Sequence, residues 1–435
     1  MITSIVVAGL IMRPAATIEH DLSGFLRPIL AANEFSGNIV IRRGGKTLFK
    51  HSYGYANIEQ AVPNKEETRF MIGSISKQFT AAAILLLEKT GKLSIADKLS
   101  KYVPDFPSGD KIDIQQLITH SSGLSRDLED EEYHSFHTTA QMVDLIKKRP
   151  LAFEPGTKKM YSNNAYRVLA YIIETVSGQS YGEFLQQNFF SPLGMKDTGT
   201  LLTKDIVPKL ADGYGPWFGA TGLGRLDPHS DYSNGCGPGN IYSTVGDLVR
   251  WNEEFLLKGV VYPDVRDKLV SGKGLGVMVQ EDNGRKLIWH NGVFEGFTAL
   301  SELYPQDATV IVYLGNTETP ASEDPLQSAL EAVAFGKKPA PFTPRPRGGK
   351  PDPGTGPEYV GKFDFFPGLS VTVQQYGDCL VLGQSGFQPL EHVAGDKFFF
   401  RNKYADVVFR RDPQGKVDGI VWTDISGTYT AKKSK

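Results

Sequence analysis

The stretch Gly73-Ser74-Ile75-Ser76-Lys77-Gln78-Phe79-Thr80 carries a hydroxyl and an amine three residues apart, Ser74 and Lys77. On a helix that spacing puts both side chains on one face. A hydroxyl at the start of such a helix feels the positive end of the macrodipole. A lysine one turn further in, once buried, loses hydration and shifts towards its neutral amine. A neutral amine beside a serine can take its proton and leave a nucleophile. Read alone, the pair also fits an N-cap serine followed by a surface lysine, because helix starts favour serine.

Two later stretches can complete a site. Tyr161-Ser162-Asn163 follows the turn Pro155-Gly156-Thr157 and precedes a helical pattern. From a turn, the phenol and the carboxamide can point into one cleft. Tyr161 is expected to relay a proton if Lys77 lowers its pKa, and Asn163 to bind a substrate amide. The plainer alternative is a buried tyrosine with a satisfied hydroxyl beside a helix-capping asparagine. His290-Asn291-Gly292-Val293 follows a strand pattern over 286–289. Gly292 admits a close backbone approach, and the Val293 amide, with that of Ser74, can donate to an oxyanion. The alternative there is a turn with an exposed histidine. A third stretch, Leu117-Ile118-Thr119-His120-Ser121-Ser122-Gly123-Leu124, reads as a helix end closed by Gly123, with His120 satisfied locally.

These stretches need a frame. A helical pattern over 21–32 precedes strand patterns over 38–42 and 47–51, joined by the hairpin signal Gly44-Gly45. A strand-like 69–72 leads into the Ser74 stretch, whose helix ends at Gly91. The 95–243 region is helical and loop-rich, with helices expected over 114–118, 139–148, 164–177 and 181–190. A Gly/Pro/aromatic-rich loop region covers 207–240, and a helix is expected over 244–255. Strands follow over 275–280, 286–289, 297–304 and 309–314, then a helix over 325–335. Strands at both ends with helices between them predict an α+β domain. Its antiparallel sheet is built from both ends and interrupted by a helical insertion.

The chain thus divides into a tail over 1–20, a main domain over 21–336, a Pro/Gly-rich linker over 337–357 and a strand-rich domain over 358–435. In the last, short strands over 370–374, 380–382, 398–401, 407–410 and 419–422 suggest a small barrel or meander. A length of 435 residues supports more than one domain. The net charge of -2 gives no basic surplus for nucleic acid or a membrane surface. Cys236 and Cys379 form no metal-ligand spacing, and a disulfide between them stays open. Gly235-Cys236-Gly237-Pro238-Gly239 lacks the strand–turn–helix context of a dinucleotide site, so no cofactor is expected. The apolar run over 2–12 resembles the end of a secretory signal without its basic start, which leaves export and retention both open. The run is too short to span a bilayer.

Ser-x-x-Lys at Ser74 and Lys77, Tyr-x-Asn at Tyr161 and Asn163, and His-x-Gly at His290 and Gly292 follow one another in a telling order. In that order the chain resembles the serine β-lactamase and penicillin-binding-protein superfamily. The branch is that of class C β-lactamases, D-aminopeptidases and related esterases, and the likeness covers roughly residues 20–335. The resemblance implies a β-lactamase-like α/β sandwich with a helical subdomain, and a serine acyl-transfer enzyme acting on a small-molecule or peptide substrate. It implies Ser74 as nucleophile, Lys77 as its base partner and Tyr161 as proton shuttle. It also implies Asn163 on the substrate amide, His290 and Gly292 on the opposite wall, and an oxyanion hole from the amides of Ser74 and Val293. Strand-rich, lipocalin-like C-terminal domains occur in this branch and can restrict the cleft. One departure matters: relatives that bind a carboxylate usually carry Lys-Thr/Ser-Gly at the third motif. His290 and Asn291 remove that fixed charge, at a cost of about 1.5–3 kcal/mol in carboxylate binding. The expectation is therefore a D-stereospecific peptidase or amidase, or a carboxylesterase. A β-lactamase or DD-carboxypeptidase, or a binding protein without turnover, are the alternatives.

Overall fold

The computed structural model describes residues 15–434, apart from 129, 203, 218–221, 226–230, 320, 322–323, 353, 367–368, 384–386 and 425. The apolar run over 2–12 lies outside the described residues.

Six strands form one antiparallel sheet. Its order is Met278–Asp282, Arg285–Phe294, Phe297–Tyr304, Thr309–Gly315, Gly37–Arg43, Lys46–Tyr53. The two ends of the domain meet where Val40 pairs with Val312. Side chains alternate between two apolar layers, as the two-residue repeat of a strand requires. Ile39, Ile41, Ile311 and Tyr313 face the helices Ala15–Ala31 and Asp324–Ala334. Val40, Val310, Val312 and Leu314 face the other way, towards the helix Ser76–Lys89.

That helix is buried on every residue from Ser76 to Leu87. A helix enclosed on all sides must satisfy its polar side chains locally. Gln78 Oε1 accepts from Trp251 Nε1 at 2.7 Å, and Thr80 Oγ1 donates to Gly237 O at 2.7 Å. Beyond it lie Ile114–Ile118, Thr139–Lys147 and Asn163–Ser177. Capping boxes at Asp113 and Thr138 start the first two. The third is capped by Ser162, whose Oγ accepts from Ala165 N at 3.0 Å, so Asn163 is not the cap.

The structure departs from the sequence pattern in several places. The helix expected over 181–190 is α-helical only over Tyr181–Leu185 and widens into a π-turn over Gln186–Phe190. The same happens from Val245–Arg250 into Trp251–Leu257. A helix over Pro263–Leu269 was not expected. The strand expected from 275 begins at Met278, because Gly274 and Gly276 hold positive φ (71° and 79°) that breaks the extended run. Cys236 and Cys379 are both free and buried, so no disulfide joins them.

Eight strands from Gly361–Phe366 to Gly427–Lys433 close into a barrel filled by Phe363, Val373, Leu380, Leu390, Phe398, Val407, Phe409 and Ile420. Three of them, Gly361–Phe366, Gln388–Ala394 and Gly427–Lys433, are not among the strands singled out in the sequence. The barrel docks through Arg401, which is 1% exposed and donates to Glu34 of the main domain at 2.7 Å and to Glu391 at 2.6 Å. Among the described residues, no helix is long and apolar enough to cross a membrane.

Candidate active site

Phe70–Met71 pairs with the strand Ile241–Ser243 and delivers the chain to a 3-10 turn, Gly73–Ile75, ahead of the buried helix. Ser74 sits on that turn, and no side chain caps it. The surface-lysine alternative is excluded, because Lys77 is wholly buried. Its Nζ lies 3.0 Å from Ser74 Oγ and 3.1 Å from Pro238 O. Burial holds its pKa well below the usual lysine value. Asp127 opposes that shift, and Arg167 and Arg126 add to it. Lys77 is thus shifted towards its neutral amine, against the serine hydroxyl.

Tyr161 donates from its hydroxyl to Ser74 Oγ at 2.7 Å. Its ring lies 4.7 Å below Lys77 Nζ. The expected lowering of its pKa does not occur. Burial pushes it up to about 12, and the Ser74 hydrogen bond and the charge of Arg126 offset that only in part. His120, expected to be satisfied locally, supports the site instead. Its ring stacks on that of Tyr161 at 4.5 Å, and its Nδ1 accepts from Ser162 N at 3.1 Å. Burial drives its pKa down to about 3.

Asn163 donates from Nδ2 to Asp127 Oδ2 at 2.7 Å. Its Oδ1 is buried and accepts no hydrogen bond among the described residues. Asp127 is held by Arg167 at 2.8 Å and by the Tyr133 hydroxyl. Arg167 is itself buried, and donates to Asn164 Oδ1 at 2.8 Å and to Asn234 O at 2.7 Å. A carboxylate neighbour fixes which way the Asn163 amide faces and leaves its oxygen without a partner among the described residues.

The third motif lies within the strand Arg285–Phe294, not after it, and its histidine is buried. His290 Nδ1 is 2.5 Å from Asn291 O. Burial pulls its pKa down to about 4, so the ring is neutral at pH 7. This strand lies against the nucleophile turn. A side chain on Gly292 would meet Ile72 O at 2.1 Å and Ser74 N at 3.1 Å. One on Gly73, at φ 49°, would meet Val293 N and O at 2.8 Å. The backbones of Ser74 and Val293 therefore run close together, with no room for a side chain at Gly73 or Gly292.

Ser74, Lys77 and Tyr161 are in direct contact, Asn163 adjoins Tyr161 along the chain, and the strand carrying His290, Gly292 and Val293 lies against the Ser74 turn. Sequence reading missed Asp127, Arg167, Tyr133 and the Pro238 carbonyl. A signal for one of them existed: Arg167 interrupts an apolar helical run, Ala165 to Leu169, that is otherwise fully buried.

A buried amine and a phenol on one serine, under this sandwich fold, define a serine hydrolase. The chain belongs to the beta-lactamase family, whose model matches residues 25–334. Penicillin-binding protein 4* of Bacillus subtilis (strain 168) is 29% identical over 434 residues, covering 90% of this chain and 94% of that one. That share reaches beyond the family-matched stretch into the barrel. The teichoic acid D-alanine hydrolase of Staphylococcus aureus is 33% identical over 219 residues, 50% of this chain and 54% of that protein. The crystal structure of FmtA from Staphylococcus aureus superposes with a TM-score of 0.64 at 25% identity, covering 77% of this chain and 93% of that one.

Proposed function

We propose that the protein hydrolyses an amide or ester through an acyl-enzyme on Ser74, and that its acyl group is D-configured or belongs to a simple carboxylic ester. The observation that carries this is the Lys77 amine 3.0 Å from Ser74 Oγ and shifted towards its neutral form, with the Tyr161 hydroxyl 2.7 Å away on the other side. Lys77 takes the hydroxyl proton as Ser74 Oγ attacks the carbonyl carbon. The amides of Ser74 and Val293 receive the oxyanion. Tyr161 passes its proton to the leaving group and is reprotonated from Lys77. Water then enters and gives a proton to the Lys77 amine, neutral again, as it attacks the acyl carbon, and Lys77 returns that proton to Ser74 Oγ as the acyl–oxygen bond breaks. Asn163 orients the substrate by accepting an N–H at Oδ1.

Two observations support the substrate class. His290 is neutral at pH 7, so the third motif offers no fixed cation to a substrate carboxylate. A relative bears the name of a D-alanine hydrolase. The second reading, a β-lactamase or DD-carboxypeptidase, draws on the penicillin-binding names among the relatives. The test is a fluorophosphonate label on wild type and Ser74→Ala, followed by rates on D- and L-amino-acid amides, p-nitrophenyl esters and nitrocefin. Labelling lost in the variant, with amide or ester rates well above nitrocefin, is the expected result. Nitrocefin turnover rivalling the ester rate would instead favour the second reading. We further propose that the barrel narrows the cleft. Trp217 meets Tyr376 of the barrel at 5.8 Å, and nearby Gly213 abuts Glu295, two residues past Val293. Stopping the chain near Arg345 should then raise rates on large substrates relative to small ones.

A further inference from the structure

Arg126 lies beside Tyr161 on the exposed edge of the site. Its backbone is pinned, because its carbonyl accepts from Asn163 N at 2.8 Å and Asn164 N at 3.4 Å. Its side chain is exposed, and the guanidinium carbon lies 5.8 Å from the centroid of the Tyr161 ring, whose hydroxyl touches Ser74. No acidic side chain among the described residues pairs with it. The adjacent Asp127 is turned inward onto Arg167, Tyr133 and Asn163. A second cation stands close by. Met160 N donates to His120 O at 2.9 Å, which holds the exposed Lys159 beside the His120–Tyr161 stack. An acidic run, Glu129 to Glu132, follows Arg126 in the sequence, so the positive charge is confined to Arg126 and Lys159 themselves.

We propose that Arg126, with Lys159 beside it, forms a subsite for a negatively charged leaving group, a carboxylate or a phosphate. The proposal rests on the acyl-enzyme reading above. In that reading Tyr161 hands its proton to the leaving group, so whatever departs lies on the Tyr161 side, under the guanidinium. A planar guanidinium can hold a carboxylate or phosphate by two parallel hydrogen bonds. The positive charge missing from the third motif is thereby restored from another element, on the helix-start loop. Such a subsite would discriminate by what leaves and not by the acyl group that stays. An exposed cation at the edge of the site also draws anionic substrates in, an effect that salt screens.

The experiment compares three esters of one acyl group, differing only in the leaving phenol: unsubstituted, with a meta-carboxylate, and with a meta-phosphate. The readout is the ratio of kcat/KM for each anionic ester to that for the neutral one, within each variant. Wild type is expected to favour the anionic esters about tenfold, the scale of one charged hydrogen bond. Arg126→Gln should bring the ratio near one, Arg126→Lys should keep part of it, and 0.5 M salt should shrink it in wild type. The two anionic arms separate a carboxylate preference from a phosphate preference. A ratio unchanged in Arg126→Gln, with all three esters still turned over, overturns the subsite. Failure of every ester, together with no fluorophosphonate label at Ser74, overturns the acyl-enzyme reading and the subsite with it.

Discussion

Replacing Lys77 with methionine tests the central claim, because catalysis and stability should move in opposite directions. Lys77 is buried, and loss of hydration is the main reason its pKa is depressed. In the unfolded chain the amine titrates near 10.5. Between the folded and unfolded values the unfolded state binds one more proton, so stability from this group rises with pH. It is fully present only above the unfolded value and is lost as pH falls through the window. At pH 7 the native protein therefore carries a penalty that Lys77→Met removes. Replacing a buried ionisable group by an apolar one of similar volume is neutral or stabilising by about 1–4 kcal/mol. Leaving Pro238 O without its donor returns about 1 kcal/mol of that. The balance predicts a variant at least as stable as wild type at pH 7. Its advantage should narrow as pH climbs towards 10. Loss of the general base should meanwhile cost 10²–10⁴ in acylation, about 3–5 kcal/mol. Urea unfolding of both proteins at pH 7, 8.5 and 10 gives the first quantity, and stopped-flow acylation by a p-nitrophenyl ester the second. A variant destabilised by the same amount at every pH, or one that still acylates at the wild-type rate, would refute a neutral catalytic Lys77.

Tyr161→Phe should slow anilide hydrolysis by about 10²–10⁴ but nitrophenyl ester hydrolysis far less, since a nitrophenolate leaves without a proton. Equal losses on the two substrates would remove Tyr161 from leaving-group protonation. Wild-type kcat/KM should hold a plateau through pH 10, because Tyr161 keeps its proton up to about 12. A fall between pH 8 and 10 that Tyr161→Phe abolishes would contradict this. In Gly292→Ala the new methyl would stand 2.1 Å from Ile72 O, so the strand must part from the nucleophile turn. A kcat loss of about 10²–10³, the scale of one oxyanion donor, should appear in protein that still folds by near-ultraviolet circular dichroism. Arg401→Ala strands Glu34 and Glu391 in the barrel joint. It should destabilise docking by about 3–5 kcal/mol, and limited proteolysis should then cut within 337–357.

The frame was legible where burial made the sequence monotonous. Phe297–Tyr304 and Thr309–Gly315 are buried at every position, and the second reads as a nearly unbroken apolar run. The central helix was legible for the same reason. The barrel was harder, because Gln388–Ala394 includes Pro389 and Glu391, and Gly427–Lys433 is largely polar and exposed. Closure of the barrel supplies their hydrogen bonds, and no local pattern announces that. In the site, spacing pointed to Ser74, Lys77, Tyr161 and His290, since each lies in a compact motif. It could not show that His290 is buried within a strand, because Asn291 and Gly292 look like a turn. Nor could it show which neighbours set a pKa. Asp127 reaches Asn163 from 36 positions away, and only folding brings its charge to Lys77.

The resting site is almost free of charge where the bond is to be broken. Lys77 is shifted towards its neutral form, Tyr161 keeps its proton, and His120 and His290 are both unprotonated at pH 7. The nearest buried ions, Asp127 and Arg167, neutralise each other. In the proposed mechanism, acylation then creates a charge pair inside this enclosure: an oxyanion against the amides of Ser74 and Val293, and an ammonium on Lys77. Interactions that exist only once charge has formed favour the transition state over bound substrate. The low dielectric that makes a protonated Lys77 costly in the free enzyme also strengthens its attraction to the oxyanion beside it. A permanent cation at His290 would hold a substrate carboxylate equally before and during the reaction. Its absence leaves that wall to shape and hydrogen bonding, and places the selective charge on Arg126, outside the enclosure and on the side where the leaving group departs.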